Sequence, residues 1–178
     1  MLITDLIQNS IIIFLMFFSL SFAIIIFLSK NRQFSIMLPK SIFIGYIATV
    51  AYITLLHRRD DLPSFINYAI ETDLLASFRR AAGTSNPYLA FIELRNIVLN
   101  IILFMPFGIL LPAIFPKIYK FIYITTFGFL ISLTIETLQL VFNRGVFSLE
   151  DIMYNTLGAI LGYAIFASIK ISFPKSSA

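Results

Sequence analysis

Glu136, Gln139 and Arg144 fall within one short stretch, IETLQLVFNR, at the end of a long apolar run. Glu136 is the only charged side chain inside any of this chain's long apolar runs. A carboxylate near a bilayer centre costs roughly 2.5–3.5 kcal/mol on insertion scales, and such groups usually face a bundle interior or a wet cavity. The acid therefore needs a partner or a task. It can accept hydrogen bonds, pair with a cation, or take a proton as a general base. Gln139 lies one helical turn away, and Arg144 follows just past the helix end.

Two further runs carry polar groups at helical spacing. Asn96 and Asn100 share one helix face, and so do Asp151 and Asn155. With a rise of 1.5 Å per residue, Asn100 lies about 7 Å below Arg95 and Asn155 about 6 Å below Asp151. Glu136 comes roughly 10 Å below Asn143 by the same rule. Each residue has a plain structural reading. Buried Asn and Gln often only bond between helices, worth about 0.6 kcal/mol each, and Glu136 with Arg144 reads equally as an ion pair. Convergence from three runs favours a polar pocket, because an apolar packing layer would be more stable than a buried polar set.

The elements that must position these groups are membrane helices. Of the residues, 59% are hydrophobic and only 12% charged, with a mean hydropathy of +0.93. A soluble domain has roughly 25% charged residues. The chain holds no cysteine and a single histidine, His57, so disulfide, thiolate and His-rich metal chemistry are excluded and no cofactor or metal is expected. His57 reads as a surface residue. The basic residues cluster in short loops between apolar runs, which points to membrane topology rather than nucleic-acid binding.

A span needs about 20 mainly apolar residues. Leu6–Leu28, Ser41–Leu56, Asn96–Phe115, Phe121–Asn143 and Ile152–Ile169 meet or approach this, with Pro39 as a start signal for the second. Leu6–Leu28 has no basic n-region or small-residue cleavage site and reads as an uncleaved span. Lys30, Arg32 and Lys40, then Lys117 and Lys120, then Lys170 and Lys175 lie in segments without acids. The positive-inside rule puts those segments in the cytoplasm. The expected fold is an all-α integral membrane bundle of about five helices, N-out and C-in, forming one domain over residues 1–178 of a multi-pass cell-membrane protein. In the long external loop, His57–Arg95, an apolar stripe of Ile66, Ile70, Leu74 and Phe78 predicts an amphipathic helix that lies on the membrane or caps the bundle.

Pro106 deprives the carbonyl of Ile102 of its helical donor, and Gly108 and Pro112 loosen the same run further. Gly158 and Gly162 form a small-xxx-small face, read as close helix packing that holds Asn155 against a neighbour.

The stretches RNIVLNIILFMPFGILLP, IETLQLVFNRG and EDIMYNTLGAILG, with the spacing between them, resemble the VanZ-like membrane family within residues 96–162. In that family's pattern the recurring groups match Asn96, Asn100, Pro106, Gly108, Pro112, Glu136, Gln139, Arg144, Asp151, Asn155, Gly158 and Gly162. Ser148 stands where the family often has an acid, and Glu150 where Asp is usual. The resemblance implies a role at the outer face of the cell envelope, its namesake being associated with resistance to the glycopeptide teicoplanin.

The first functional expectation is a binding role. An outward pocket of Asn96, Asn100, Glu136, Gln139, Arg144, Asp151 and Asn155 would engage a membrane lipid, a lipid-linked envelope precursor or a lipophilic glycopeptide, with Arg144 on an anionic head group. The alternative is an intramembrane enzyme acting on a lipid substrate, with Glu136 as general base and Asp151 as acid or cation ligand. Transport ranks third, because the inner two thirds of the runs offer no polar path.

Overall fold

The computed structural model describes residues 18, 34–56, 70–142 and 145–172. Apart from Phe18, the first expected span, Leu6–Leu28, lies outside the described residues, as do Ile66 and Arg144. The chain divides into two compact units, Met1–Leu62 and Pro63–Ala178.

In the first unit, α1 covers Phe34–Ala51 and runs into a π-helical turn at Tyr52–Leu56. Pro39 lies inside α1 rather than ahead of it. A proline this near a helix start removes only the bond to the carbonyl of residue 35, so the helix survives it. Thr49 and Thr54 donate their hydroxyls to the carbonyls of Gly45 and Val50, which satisfies both within their own segment.

The second unit is built on three long helices: α3 (Pro87–Ile114), α4 (Phe121–Val141) and α5 (Leu149–Ser172). A short helix, α2 (Ala76–Gly83), precedes them. Among the described residues four helices are long and apolar enough to cross a membrane: these three and the one containing Leu38–Leu55. Hydroxyls on exposed positions of α4 follow the pattern seen in α1. Thr125, Thr134 and Thr137 each donate to the carbonyl four residues back, so none needs water.

α3 begins nine residues before the expected Asn96. Asn86 caps it by accepting from the N–H of Tyr88 at 3.0 Å, and Pro87 fills the first helical position. Glu93 and Arg95 interrupt the apolar pattern but not the helix, since charges near a helix end can reach a partner or water. At 28 residues α3 is about 42 Å long, more than the roughly 30 Å of a bilayer core, so its first turns can stand beyond the core.

α3 and α5 run parallel, with α4 antiparallel to both. Gly158 lies on the carbonyl of Ile101 and Gly162 on that of Met105, while Gly108 meets the carbonyl of Ala159. A Cβ at any of these three glycines would overlap backbone, and the close approach of α3 and α5 rests on their absence. On α4, a Cβ at Gly128 would come 2.8 Å from the Cβ of Ala159. Phe104, Phe107, Ile124 and Ala159 fill the core beside this seam.

The segment before α3, expected to be an external loop, differs from a single helix with one apolar stripe in its described part. Ile70–Glu71 forms a two-residue strand, β1, parallel to β2 at Phe147–Ser148, with Ile70 opposite Phe147 and Glu71 opposite Ser148. The helix proper is α2, which buries Ala76 and Ser77 and leaves Phe78 56% exposed. Strand pairing between distant segments overrides the local four-residue spacing on which the stripe was read.

Candidate functional site

At the end of the bundle where α3 and α5 begin, polar side chains from three helices meet. Glu136 projects from the α4 face that also carries Gly128 and Ser132, and is 2% exposed. Its Oε2 accepts the backbone N–H of Ser148 at 3.0 Å. Ser148 in turn starts α5. Its hydroxyl oxygen accepts the N–H of Asp151, three residues on, at 3.2 Å.

This arrangement departs from a reciprocal capping box in an instructive way. In that motif the acid at the third helical position turns back to the N–H of the capping residue. Here Glu136 of α4 occupies the N–H of Ser148. The carboxylate of Asp151 reaches α3 instead, where its Oδ1 accepts from Nδ2 of Asn100 at 2.7 Å. The donated N–H and helix N-terminus also offset part of the cost of burying charge.

One turn deeper, Asn155 donates Nδ2 to the hydroxyl oxygen of Ser132 at 2.9 Å. Asn155 is 4% exposed, and its Oδ1 has no hydrogen-bond partner among the described residues. Asp151 and Asn155 are thus stacked on α5, opposite Glu136 and Ser132 stacked on α4. Gln139 is half-buried against Gly145, where a Cβ would meet its Oε1 at 3.6 Å. Asn96, half-buried one turn from Asn100, makes no side-chain hydrogen bond among the described residues.

A second buried carboxylate clamps the segment that carries β1 and α2. Glu150 is 2% exposed and accepts from the N–H of Ser77 at 2.9 and 3.2 Å and from its hydroxyl at 2.8 Å. Arg80 donates to Oγ of Ser77 at 3.1 Å and pairs with Glu71 at 3.3 Å and Glu93 at 3.1 Å. β1, α2, α3 and the start of α5 are tied together by this network. Arg95, by contrast, keeps a buried Nε without a hydrogen-bond partner among the described residues. It shares its face of α3 with the exposed Leu99 and Ile102, away from the α5 seam.

Among the described residues no group of three or more His, Cys, Asp or Glu side chains is placed to hold a metal ion.

The sequence profile of VanZ/LLP1 matches residues 9–170. The chain belongs to the VanZ/LLP1 family. Protein VanZ of Enterococcus faecium is 27% identical over 130 residues, which cover 73% of this chain and 74% of that protein. No solved structure matches the chain.

In this VanZ-family chain, five of the residues picked from spacing alone come to one end of the bundle: Asn100, Glu136, Gln139, Asp151 and Asn155. Asn96 lies on the same helix face but bonds to none of them, and Arg144 lies outside the described residues. The pattern reading missed Ser148, Ser132, Glu150 and Ser77. Two of these were within reach. Ser148 and Asp151 form an S-x-x-D pair just before an apolar run, a helix-start signature. Ser132 stands one turn from Glu136 on the same face. The bond between Ser77 and Glu150 joins positions 73 apart and has no local signal.

Proposed function

We propose that this VanZ-family protein is a multi-pass cell-membrane protein, with the polar end of α3, α4 and α5 facing outward. That end engages a lipid-linked envelope component or a lipophilic glycopeptide such as teicoplanin, giving a resistance or envelope role. The reading is carried by one observation. Asn100, Glu136 and Asp151 converge from three helices, through direct bonds and through the start of α5. In an apolar bundle such a layer is less stable than hydrophobic packing, so it has a use other than holding helices together. Family membership and the name of the enterococcal relative support the resistance role. In this reading Arg144, which follows α4 in the sequence, is the cation for an anionic head group.

Binding ranks above catalysis because Glu136 already accepts a backbone N–H, a bond that a glutamine oxygen also makes. The test is teicoplanin susceptibility at matched membrane abundance. Expression of the chain should raise tolerance, and Glu136→Gln should retain part of the effect. Loss of a general base would instead abolish turnover, typically by about 10²–10⁴-fold. Unchanged susceptibility on expression would sink the glycopeptide reading. Orientation is tested separately: a cysteine at the exposed Ser85 should react with an impermeant maleimide on intact cells, and one at Lys117 should not. The opposite labelling would turn the polar end to the cytoplasm.

A further inference from the structure

We infer that Arg95 takes the phosphate of a membrane lipid at the surface of α3 turned away from α5. The inference rests on the membrane setting of the reading above, and on neither its ligand nor its orientation. Its starting point is a cation without a counter-charge. Among the described residues Arg95 makes no hydrogen bond or ion pair, although it is half-buried and its Nε is covered. Arg79 and Arg80, by contrast, are paired with Asp73, Glu71 and Glu93. The other described carboxylates are engaged as well: Glu136 by the N–H of Ser148, Glu150 by Ser77 and Asp151 by Asn100. A guanidinium stays charged in proteins and offers five donors in a planar fork. No described carboxylate is left to meet it.

The surroundings decide what kind of acceptor can reach it. On the same face of α3 stand Tyr88 and Phe91 toward the helix start and Leu99 and Ile102 further along, all exposed. On a helix long and apolar enough to cross a membrane, such a face meets lipid, and a long cationic side chain there reaches for the interface. The length of α3 sets the depth. With its roughly 42 Å centred on a core of about 30 Å, about 6 Å stands beyond either boundary. Arg95 lies about 12 Å from the first residue, Pro87, so its Cα is about 6 Å inside the core. Helical side chains lean toward the helix start, which carries the guanidinium back toward the boundary and the lipid phosphates. Tyr88 then stands among the head groups, where tyrosine rings are enriched. Two phosphate oxygens accept parallel N–H bonds from one guanidinium. Phe91 and Leu99 offer the acyl chains of the same lipid an apolar surface, which a free phosphate ion cannot use.

The experiment uses the full chain in detergent, with lipid retention followed by native mass spectrometry. Dioleoyl phosphatidylglycerol and dioleoylglycerol, which share acyl chains and differ in the phosphate head group, are added one at a time. The phosphate lipid should be held about tenfold more tightly, the size expected for hydrogen bonds to a charged group. Arg95→Gln should cut that margin several-fold, and Arg95→Lys, which keeps the charge but loses the fork, should keep part of it. Arg79→Gln removes a guanidinium that already has Asp73 and should leave the margin unchanged. Equal retention of the two lipids by the unmodified chain would overturn the inference, and that comparison needs no variant to fold. So would a margin unchanged in Arg95→Gln, or one that falls as far in Arg79→Gln and so reports net charge alone. Inorganic phosphate at millimolar concentration should not compete, and displacement of the lipid by it would make this a free-anion site and overturn the lipid assignment. A dimer that is lost in Arg95→Gln would put a second copy of the chain on this face and overturn it too. Drug tolerance enters none of these readings, so the inference and the proposed function fail separately.

Discussion

Along one pair of helices, Gly158 and Gly162 press on the carbonyls of Ile101 and Met105, while nearer the helix starts Asp151 meets Asn100 through a 2.7 Å hydrogen bond. The glycine seam is held by close van der Waals contact and leaves no room for another atom. The polar end is held by charges and amides whose burial is costly, and among the described residues one of its oxygens has no donor. Packing specifies the first region completely. The second carries groups that packing does not require, and on the function proposed above this separates the part of the bundle that makes the fold from the part that would meet a ligand.

The largest effect should come from the seam. Gly162→Val places carbon atoms where the Met105 backbone lies and should cost about 3 kcal/mol or more, read as loss of folded protein in thermal unfolding. A folded, stable variant would show that α3 and α5 can separate without penalty, and the distinction between the two regions would fail. The clamp at the polar end comes next. Ser77→Ala and Glu150→Gln should couple by about 1–2 kcal/mol in a double-mutant cycle of unfolding free energies. Additive losses would mean that α2 is held by something else.

Ser148→Ala should destabilise by about 1 kcal/mol through loss of the α5 cap, and Ser148→Asn, which can still cap, should restore most of it. The smallest effect belongs to Asn155→Leu. Replacing an amide that leaves an oxygen unsatisfied should change stability by less than about 1 kcal/mol in either direction. A large loss there would make Asn155 a structural residue and shift the boundary between seam and site by one turn.

The four spans that fall among the described residues and the convergence of Asn100, Glu136, Asp151 and Asn155 were legible because hydropathy and a 3.6-residue period are local properties. Gly158 and Gly162 were read correctly as close packing for the same reason. The start of α3 was placed too late because Glu93 and Arg95 look like the end of an apolar run, although Glu93 has Arg80 as a partner across the fold. The stripe of Ile70, Leu74 and Phe78 misled because Ile70 pairs with Phe147, and nothing near Ile70 in the chain announces that strand. Long-range pairings of this kind, including that of Ser77 with Glu150, depend on loop closure and leave no periodic trace.

The pairing of Ser77 with Glu150 also sets a schedule for assembly. The two residues are separated by 73 positions, so α2 is synthesised well before the carboxylate that anchors its first turn. At roughly 5–20 residues per second, the wait is on the order of 4–15 s. During that interval the exposed Leu74, Leu75 and Phe78 have no clamp to return to. Locking this segment is thus a late act of biogenesis, and a nascent chain arrested before residue 150 should remain open to protease there while a finished one resists.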